Sequence, residues 1–115
     1  MIRKVDNFKS KIEKSCCGGS GKAVLSSVLA QNEIYGEVSM FSVVTLNCGD
    51  EVGYHIHKGD MEIYMVLKGC AVFNDNGTEV VLNEFDTAIT YDGEGHSIRP
   101  IDGTTLQFLA CKIKK

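Results

Sequence analysis

The sequence contains no tryptophan, one proline and three histidines among its 115 residues. Without a tryptophan to pack against a disulfide, the chain is a poor match for an immunoglobulin-like sandwich. No apolar run approaches the ~20 residues that a membrane-spanning helix needs. The formal net charge of −3 provides no basic surface for nucleic acid or for an anionic membrane. We therefore expect the partner to be a small molecule, and neither a nucleic acid nor a membrane.

The five cysteines are irregularly spaced. Their number is odd, and their spacing fits neither a disulfide framework nor a Cys-x-x-Cys metal site. The first fifteen residues also lack the apolar middle of a secretory signal. We expect reduced thiols in a cytoplasmic protein. Cys48, Cys70 and Cys111 have the pattern of small core residues. The role of Cys16 and Cys17 stays open.

Glycine, by contrast, is abundant, and the 12 glycines lie between short apolar runs. Short β-branched or aromatic runs bounded by Gly, Asn or Asp are typical of β-strands joined by tight turns. Asp75-Asn76-Gly77 is a hairpin signal, because Asn and Gly accept the positive φ angles of a two-residue turn. The pattern predicts an all-β sandwich or barrel. The predicted strands are Ala23–Leu29, Val38–Leu46, Gly53–Ile56, Glu62–Leu67, Gly69–Asn74, Glu79–Leu82, Thr87–Thr90, His96–Arg99 and Thr105–Lys112.

The chain length of 115 residues fits a single domain, since half of it would be too small to bury its own core. Within residues 1–115 we expect a barrel core over about residues 23–112 and an N-terminal arm over residues 1–22. The glycine-rich run Cys17–Lys22 matches the pattern of a phosphate-binding loop only in part, because it lacks the first glycine of that pattern and the hydroxyl residue after the lysine. We expect a flexible turn there.

The first fifteen residues of the N-terminal arm are polar and have a pattern typical of a helix. Asp6 can cap a short helix over Asp6–Lys14, in which Phe8 and Ile12 lie four residues apart on one face. Before that helix, Ile2 and Val5 can form a short strand. The arm can pack on its own barrel or on a partner's, and the sequence does not decide between them.

Two of the three histidines lie in Tyr54-His55-Ile56-His57. Side chains at positions i and i+2 of a strand leave the same face, roughly 6.5–7 Å apart along the backbone. A short turn follows, and Glu62 opens the next predicted strand, where an antiparallel pairing can bring its carboxylate to the same face. Two imidazoles and a carboxylate in this arrangement can hold a metal ion. A pair of solvent-facing histidines and a solvated glutamate would give the same pattern.

A longer motif favours the metal site. Gly49, five residues, His55, one residue, His57, four residues, Glu62, six residues and Gly69 match all the fixed positions of the pattern G-x5-H-x-H-x3–4-E-x6-G. This is the first sequence motif of the cupin superfamily, which the chain therefore resembles. The resemblance covers roughly residues 38–112.

The second cupin motif, G-x5-P-x-G-x2-H-x3-N, matches only in part. Gly93 and His96 hold their places, and Asp86 matches an acidic residue that often follows the first glycine of the motif. Other residues replace the first glycine, the proline and the asparagine; they are Phe85, Tyr91 and Pro100, respectively. These departures concern the turn geometry and the pocket rim, so the fourth ligand position is retained. All three histidines of the chain fall on ligand positions of the two motifs.

The resemblance implies an antiparallel double-stranded β-helix, a jelly-roll-like barrel, with one divalent transition metal held inside by His55, His57, Glu62 and His96. Three imidazoles and one carboxylate accept Mn, Fe, Co, Ni, Cu or Zn, and a six-coordinate ion would keep two positions open. Zinc held tetrahedrally by all four would be closed, as structural sites are.

Two further residues can line the pocket. Tyr64 and Val66 share the parity of Glu62 on its strand, so they face the barrel interior, where they line the pocket or simply pack in the core.

Two classes of function follow from the resemblance. The first is a metal-dependent oxygenase, decarboxylase or isomerase acting on a small oxygen-rich molecule, such as a carboxylate, a keto acid or a sugar derivative. The alternative is a non-catalytic binding or sensing module with a structural metal. No general acid or base beside the metal can be named from the sequence. Small single-barrel cupins commonly form homodimers, so we expect a homodimer.

Overall fold

Ten strands, all paired antiparallel, form two sheets that pack face to face in the computed structural model, which describes residues 1–115. The larger sheet has six strands in the order β1-β2-β3-β10-β5-β8, and the smaller has four in the order β4-β9-β6-β7. The strands are β1 Lys9–Lys14, β2 Lys22–Ser27, β3 Val38–Leu46, β4 Val52–Ile56, β5 Asp60–Lys68, β6 Ala71–Asp75, β7 Thr78–Leu82, β8 Thr87–Thr90, β9 Gly95–Pro100 and β10 Leu106–Lys114. The all-β jelly-roll architecture expected from the sequence is confirmed.

Local sequence accounts for most of these strands. All nine predicted strands are present, and β3 and β8 have the predicted bounds. At the hairpin between β6 and β7, Asp75 pairs with Thr78 across a turn in which Asn76 has a φ of 52° and Gly77 a φ of 97°. Two consecutive positive φ angles match the right-handed twist of the flanking strands, so this turn sets their register.

The N-terminal arm differs from its prediction. The residues predicted as a helix over Asp6–Lys14 instead form β1, which pairs along its whole length with β2. Helical structure in this stretch is limited to a 3-10 turn at Val5–Asn7, and the short strand expected at Ile2 and Val5 is not formed. Pairing with β2 satisfies the backbone of this polar stretch, and such tertiary hydrogen bonding overrides a weak helical preference. The arm therefore packs on its own barrel.

The glycine-rich run after β1 is a turn, but it lies tightly against β4. Gly19 and Gly53 approach so closely that a Cβ at Gly19 would lie 2.6 Å from the nitrogen of Gly53, and a Cβ at Gly53 would lie 2.5 Å from that of Gly19. Only glycine at both positions allows this backbone contact. The contact fixes the neighbouring 3-10 turn, Cys16–Gly18, beside β4.

The turn before β8 keeps its geometry despite the missing glycine of the second motif. Phe85 has a φ of 70° and its side chain is 72% exposed. A non-glycine residue in the left-handed region costs roughly 1–2 kcal/mol. Hydrogen bonds hold the turn, with Phe85 N donating to Val66 O at 2.7 Å and Asn83 N donating to the Asp86 carboxylate at 2.8 Å.

The core lies between the two sheets and consists of fifteen buried apolar residues. In β10 the inward positions Leu106, Phe108 and Ala110 are completely buried. Burying a leucine or phenylalanine side chain stabilises the fold by roughly 1.5–3 kcal/mol. The alternation of strand side chains continues to Lys112, which therefore leaves the same inner face at the open end of the barrel.

The cysteines do not follow their predicted burial. Cys48 is exposed and Cys70 and Cys111 are half-buried, so none of the three is a core residue. The buried thiol is that of Cys16, and Cys17 next to it is exposed. All five thiols are free. The chain contains no helix with the length and apolar character required to cross a bilayer.

Candidate metal centre

The three histidines and Glu62 meet between the two sheets. His55 on β4 and His96 on β9 are direct partners in the antiparallel register, so both imidazoles leave the inner face of the smaller sheet. His57 follows the end of β4 and points to the same side, while Glu62 projects from β5 of the larger sheet. The turn between β4 and β5 thus joins ligand positions on opposing sheets.

The donor atoms of these four residues converge on one point. The Nε2 atom of His96 lies 3.0 Å from that of His57 and 3.2 Å from that of His55. Glu62 Oε1 lies 3.1 Å from His57 Nε2 and 3.3 Å from His96 Nε2. All four donor atoms lie within 4.8 Å of one another. Such a cluster of buried lone pairs is what a cation binds.

The outer nitrogens of His55 and His57 determine which nitrogen faces the centre. His55 Nδ1 lies 2.7 Å from the carbonyl oxygen of Gly53, and His57 Nδ1 lies 2.7 Å from the Asp60 carboxylate. A carbonyl and a carboxylate can only accept, so each Nδ1 carries a proton and donates. In a neutral imidazole the Nε2 lone pair is then free for a metal.

His96 is held most firmly of the three. Its Nδ1 lies 2.8 Å from the Thr90 hydroxyl, and the Tyr64 ring stacks on the imidazole at 4.8 Å between centroids. The Phe73 ring meets it edge-on at 5.6 Å. With 1% of its surface exposed, His96 has a single orientation available, and its Nε2 faces the centre.

The backbone of the second motif holds His57. His57 N donates to Glu94 O at 2.9 Å, and Gly93 N donates back to His57 O at 2.8 Å. The loop is fastened in turn by Asp92, whose carboxylate accepts from Gly59 N at 2.8 Å. The acidic loop before His96 therefore serves as a support for the histidine cluster.

The charge states in the cluster match those of a metal site. Burial opposes ionisation of Glu62, but the hydrogen bond to His96 and the positive charge of Lys112 hold the pKa of its carboxyl below the ordinary value. Burial lowers the pKa of His55, and the neighbouring His96 and His57 add to the effect against the opposing Gly53 carbonyl. The carboxylate is thus ionised and the imidazole neutral, the forms that bind metals.

A cavity of about 130 Å³ lies against two of the four residues. His55 and Glu62 form part of its wall, whereas His57 and His96 lie behind them. The cavity is lined by Glu13, Cys16, Cys17, Leu25, Met40, Val44, Val52, His55, Glu62, Tyr64 and Lys112. Larger depressions elsewhere, such as the one of about 340 Å³ around Met61 and Tyr91, contain none of the four donors.

The structure distinguishes the two residues expected to line the pocket. Tyr64 forms part of the cavity wall, and Val66 is completely buried in the core farther along β5. Burial, aided by the Glu62 carboxylate, raises the pKa of the Tyr64 hydroxyl well above its ordinary value, so this hydroxyl remains protonated. Burial likewise raises the pKa of the Cys16 thiol to about 12. Neither group is an anion at neutral pH.

Sequence reasoning missed several residues around the centre. Asp60 and Thr90 support histidines, but their types are common in turns and strands and carry no signal of that role. Glu13 and Cys17 reach the cavity only because the arm packs back on the barrel. Lys112 could have been found, since it shares the parity of the buried residues of β10.

Comparison with known proteins agrees with these features. A family model described as "Cupin domain" matches residues 42–111, more than half of the chain. A protein of Thermotoga maritima named an oxalate-binding protein is 38% identical over 93 residues, which are 81% of this chain and 77% of that protein.

Solved structures show the same architecture. The crystal structure of a predicted oxalate decarboxylase from Thermotoga maritima is 32% identical, with a TM-score of 0.94 and coverage of 100% of both chains. A sugar phosphate isomerase of the cupin superfamily from Silicibacter pomeroyi has a TM-score of 0.79 at 17% identity, covering 100% of this chain and 76% of that one, and shows the fold alone. With a cupin motif, a cupin barrel and a cluster of three histidines and a glutamate inside it, the chain belongs to the cupin family.

Proposed function

We propose that this protein binds one divalent transition metal on His55, His57, Glu62 and His96 and uses it to bind a small carboxylate. The observation that carries the proposal is the convergence of three Nε2 atoms and one carboxylate oxygen within 4.8 Å, beside a cavity. Each imidazole is oriented from outside by a hydrogen bond at Nδ1. Such outer partners are typical of metal-binding histidines.

The donor set suits Mn, Fe, Co, Ni, Cu or Zn, and it does not select among them. A divalent ion held by these residues would supply a Lewis acid with room for the oxygens of a ligand. Metal analysis of protein purified from its native host identifies the ion. Overexpressed protein is a poor substitute, because affinity then follows the Irving–Williams order.

The size of the cavity favours a ligand with few atoms. A water molecule occupies about 30 Å³ of liquid volume, so the 130 Å³ cavity corresponds to a handful of waters. This is well below the roughly 300–1,000 Å³ typical of pockets for larger organic ligands. The name of the Thermotoga relative, an oxalate-binding protein, fits a ligand of this size. We take oxalate as the probe of the proposed class.

Catalysis on the bound carboxylate is a second candidate, as an oxygenase, decarboxylase or isomerase. The carboxyl group of Glu13 favours it, because it lines the same cavity and can exchange a proton with a bound ligand. The thiols of Cys16 and Cys17 are poorer candidates for this role, since burial raises the pKa of both.

The experiment compares metal-loaded protein with chelator-treated protein. Calorimetry with oxalate, pyruvate and glycolate should give binding only with the loaded protein, and His55→Ala with His57→Ala should abolish it. Incubation of each loaded form with the same compounds, with and without dioxygen, then tests for turnover. Binding without any product supports the binding module, and failure of the loaded protein to bind any of these compounds contradicts the proposal.

We also propose that the protein forms a homodimer. The outer edge of β1 has no strand partner, and all six of its residues are exposed. Unpaired edges of this kind can pair with another strand. Light scattering of the full chain and of a form lacking residues 1–15 tests this. A monomeric full chain would contradict it.

A further inference from the structure

We propose that Lys112 is the residue that makes the cavity select dianions over monoanions, by placing a positive charge beside the metal-bound ligand. This inference rests on the proposed function, since it concerns the ligand of the same cavity. It adds a residue that lies outside both sequence motifs and that is not one of the four proposed metal ligands.

The position of Lys112 follows from the register. Lys112 on β10 is the direct partner of Glu62 on β5, and directly opposed residues of an antiparallel pair extend from the same face. On the other side of β10, Lys112 pairs with Met40 of β3. Met40, Lys112 and Glu62 thus form an inward row across three strands, and all three line the cavity.

A bulge lies beside this row. The register between β10 and β3 shifts after Lys112, so that Ile113 pairs with Val38 and Ser39 is left over. A bulge bends its strand and changes the direction of nearby side chains, which is why bulges are frequent next to binding sites. Here it marks the point where the packed core gives way to the open end of the barrel.

The Lys112 ammonium has no partner of its own. The ion pairs of the chain all involve other cations, so no carboxylate oxygen lies within 4.0 Å of the Lys112 Nζ atom. The hydrogen bond that Ser39 makes to this residue uses the Lys112 carbonyl oxygen. A half-buried lysine is normally paired or extended into water. Because Lys112 lines the small cavity and its ammonium is unpaired, this charge is available to a ligand anion.

The charges of the site specify which anion fits. At the cavity, a divalent metal, the Glu62 carboxylate and the Lys112 ammonium leave a net charge of two positive units, which a dianion neutralises. Without Lys112 the net charge would be one positive unit, which a monoanion neutralises. The Asp60 carboxylate lies behind His57 and does not line the cavity. Glu13 also borders the cavity, but its side chain is exposed and its charge is screened by solvent. Lys112 additionally borders an outer cavity of about 350 Å³, so its side chain is shared by the two cavities.

The test uses oxalate and oxamate as a matched pair. Oxamate has nearly the same shape and metal-chelating oxygens but carries one negative charge. Calorimetry of protein loaded with one metal gives the affinity of each, after metal content and thermal unfolding have been shown to be unchanged. Lys112→Met should weaken oxalate binding by about tenfold or more and oxamate binding by less than about threefold. The ratio of the two affinities is the decisive quantity.

Two variants serve as controls. Lys112→Arg keeps the positive charge and should keep most of the preference for oxalate. Lys11→Met removes the same charge from a residue that borders the outer cavity but not the inner one, and should change the ratio little. If Lys112→Met does not fold or hold metal, Lys112→Gln replaces it.

Equal weakening of both ligands in Lys112→Met, or no weakening of oxalate, would overturn the role of Lys112 while leaving the proposed function intact. A fall in the ratio for Lys112→Arg as large as that for Lys112→Met would overturn it as well. If the loaded wild-type protein binds neither compound, the proposed function itself fails.

Discussion

The two sides of the cavity are built differently. One side is the histidine wall, in which His55 borders the cavity and His57 and His96 lie behind it. Every imidazole of this wall has a hydrogen-bond partner at its outer nitrogen. On the other stands the outer wall, which comprises Glu13, Cys16, Cys17 and Lys112. Glu62 lies between the two walls.

The histidine wall comes from neighbouring strands of the smaller sheet and from loops fastened to them. Its side chains are buried or half-buried, and hydrogen bonds at their outer nitrogens fix the orientation of the imidazoles. Pre-orientation of this kind lowers the entropic cost of binding a metal. These features support the proposed role of the histidine wall in holding one ion.

The outer wall comes from the arm and from the end of β10. Cys17 and Glu13 are exposed, and Lys112 has no ion-pair partner. Groups with unsatisfied charge or exposure are suited to meeting a ligand that exchanges with solvent. The comparison supports a division of two proposed tasks, in which the histidine wall binds the metal and the outer wall determines which ligand binds beside it.

The largest effect should come from removing part of the histidine wall. His55→Ala with His57→Ala should abolish stoichiometric metal binding, because two of four donors are lost. Metal should then no longer raise the thermal midpoint, whereas for the wild type a metal concentration 100 times Kd adds about 2.7 kcal/mol. Elemental analysis and thermal unfolding measure both.

Ile56→Ala is the control for this double variant. Ile56 lies between the two histidines on the opposite face of the chain and is 53% exposed. It should bind metal as the wild type does. Undiminished metal binding by the double variant would disprove the assignment of these ligands.

A smaller effect should follow from loosening the wall while keeping its ligands. Asp60→Ala removes the acceptor that orients His57, and loss of such a partner typically lowers metal affinity about 10–100-fold. Asp60→Asn retains an acceptor oxygen and should lose less. Chelator competition gives the affinities. Asp102→Ala, on an exposed turn, is the matched control, and an equal affinity for Asp60→Ala and Asp102→Ala would show that Asp60 does not position His57.

The outer wall can be blocked independently. Alkylation of the exposed Cys17 with N-ethylmaleimide places a bulky group in the cavity, so oxalate binding should fall severalfold while metal content stays constant. Although the residue is exposed, partial desolvation of its sulfur by the neighbouring residues raises the pKa of this thiol, so the reaction needs mildly alkaline solution. Cys17→Ser treated identically corrects for labelling of the other cysteines. Oxalate binding that survives complete labelling of Cys17 would show that ligands reach the metal by another route.

The two walls also differ in how far the sequence predicts them. The spacing of His55, His57 and Glu62 follows from strand parity and a short turn, so a local pattern brings them together. His96 joins them through the pairing of β4 with β9, which the second motif indicates despite its substituted positions. The strands themselves were predictable because their alternation and turn residues are local signals.

The residues of the outer wall could not be predicted from local sequence patterns, because the wall depends on contacts between residues that are far apart in the chain. The stretch Lys9–Lys14 reads locally as a helix, and only pairing with β2 makes it a strand. The close backbone contact of Gly19 with Gly53 then places Cys16 and Cys17 at the cavity. The glycine-rich run predicted as a flexible turn thus packs against β4, and no local sequence pattern indicates that contact.

The smallest predicted effect concerns the ion pair between Arg3 and Glu33, which helps to hold the N-terminal arm on the barrel. Arg3 donates to the Glu33 carboxylate, and this hydrogen bond, with that from Ala30 N, lowers the pKa of Glu33 to about 2. Because the folded pKa lies below the unfolded one, the stabilisation is complete above pH of about 4.5 and is lost as the pH falls towards about 2. Glu33→Gln should therefore lower the thermal midpoint slightly near neutral pH.

The pH profile separates this ion pair from a general loss of packing. The difference in thermal midpoint between the wild type and Glu33→Gln should shrink as the pH falls from 5 to 3, since the Glu33 carboxyl of the unfolded chain then takes up a proton while that of the folded protein stays largely ionised. The pair is half-buried at the surface and still reached by solvent, so added salt should also reduce the difference. Glu79→Gln, in which the exposed Glu79 carboxylate loses its longer 3.6 Å contact with Arg99, should show almost no difference at any pH. A difference for Glu33→Gln that is constant from pH 5 to 3 would mean that the arm is held by β1 pairing alone.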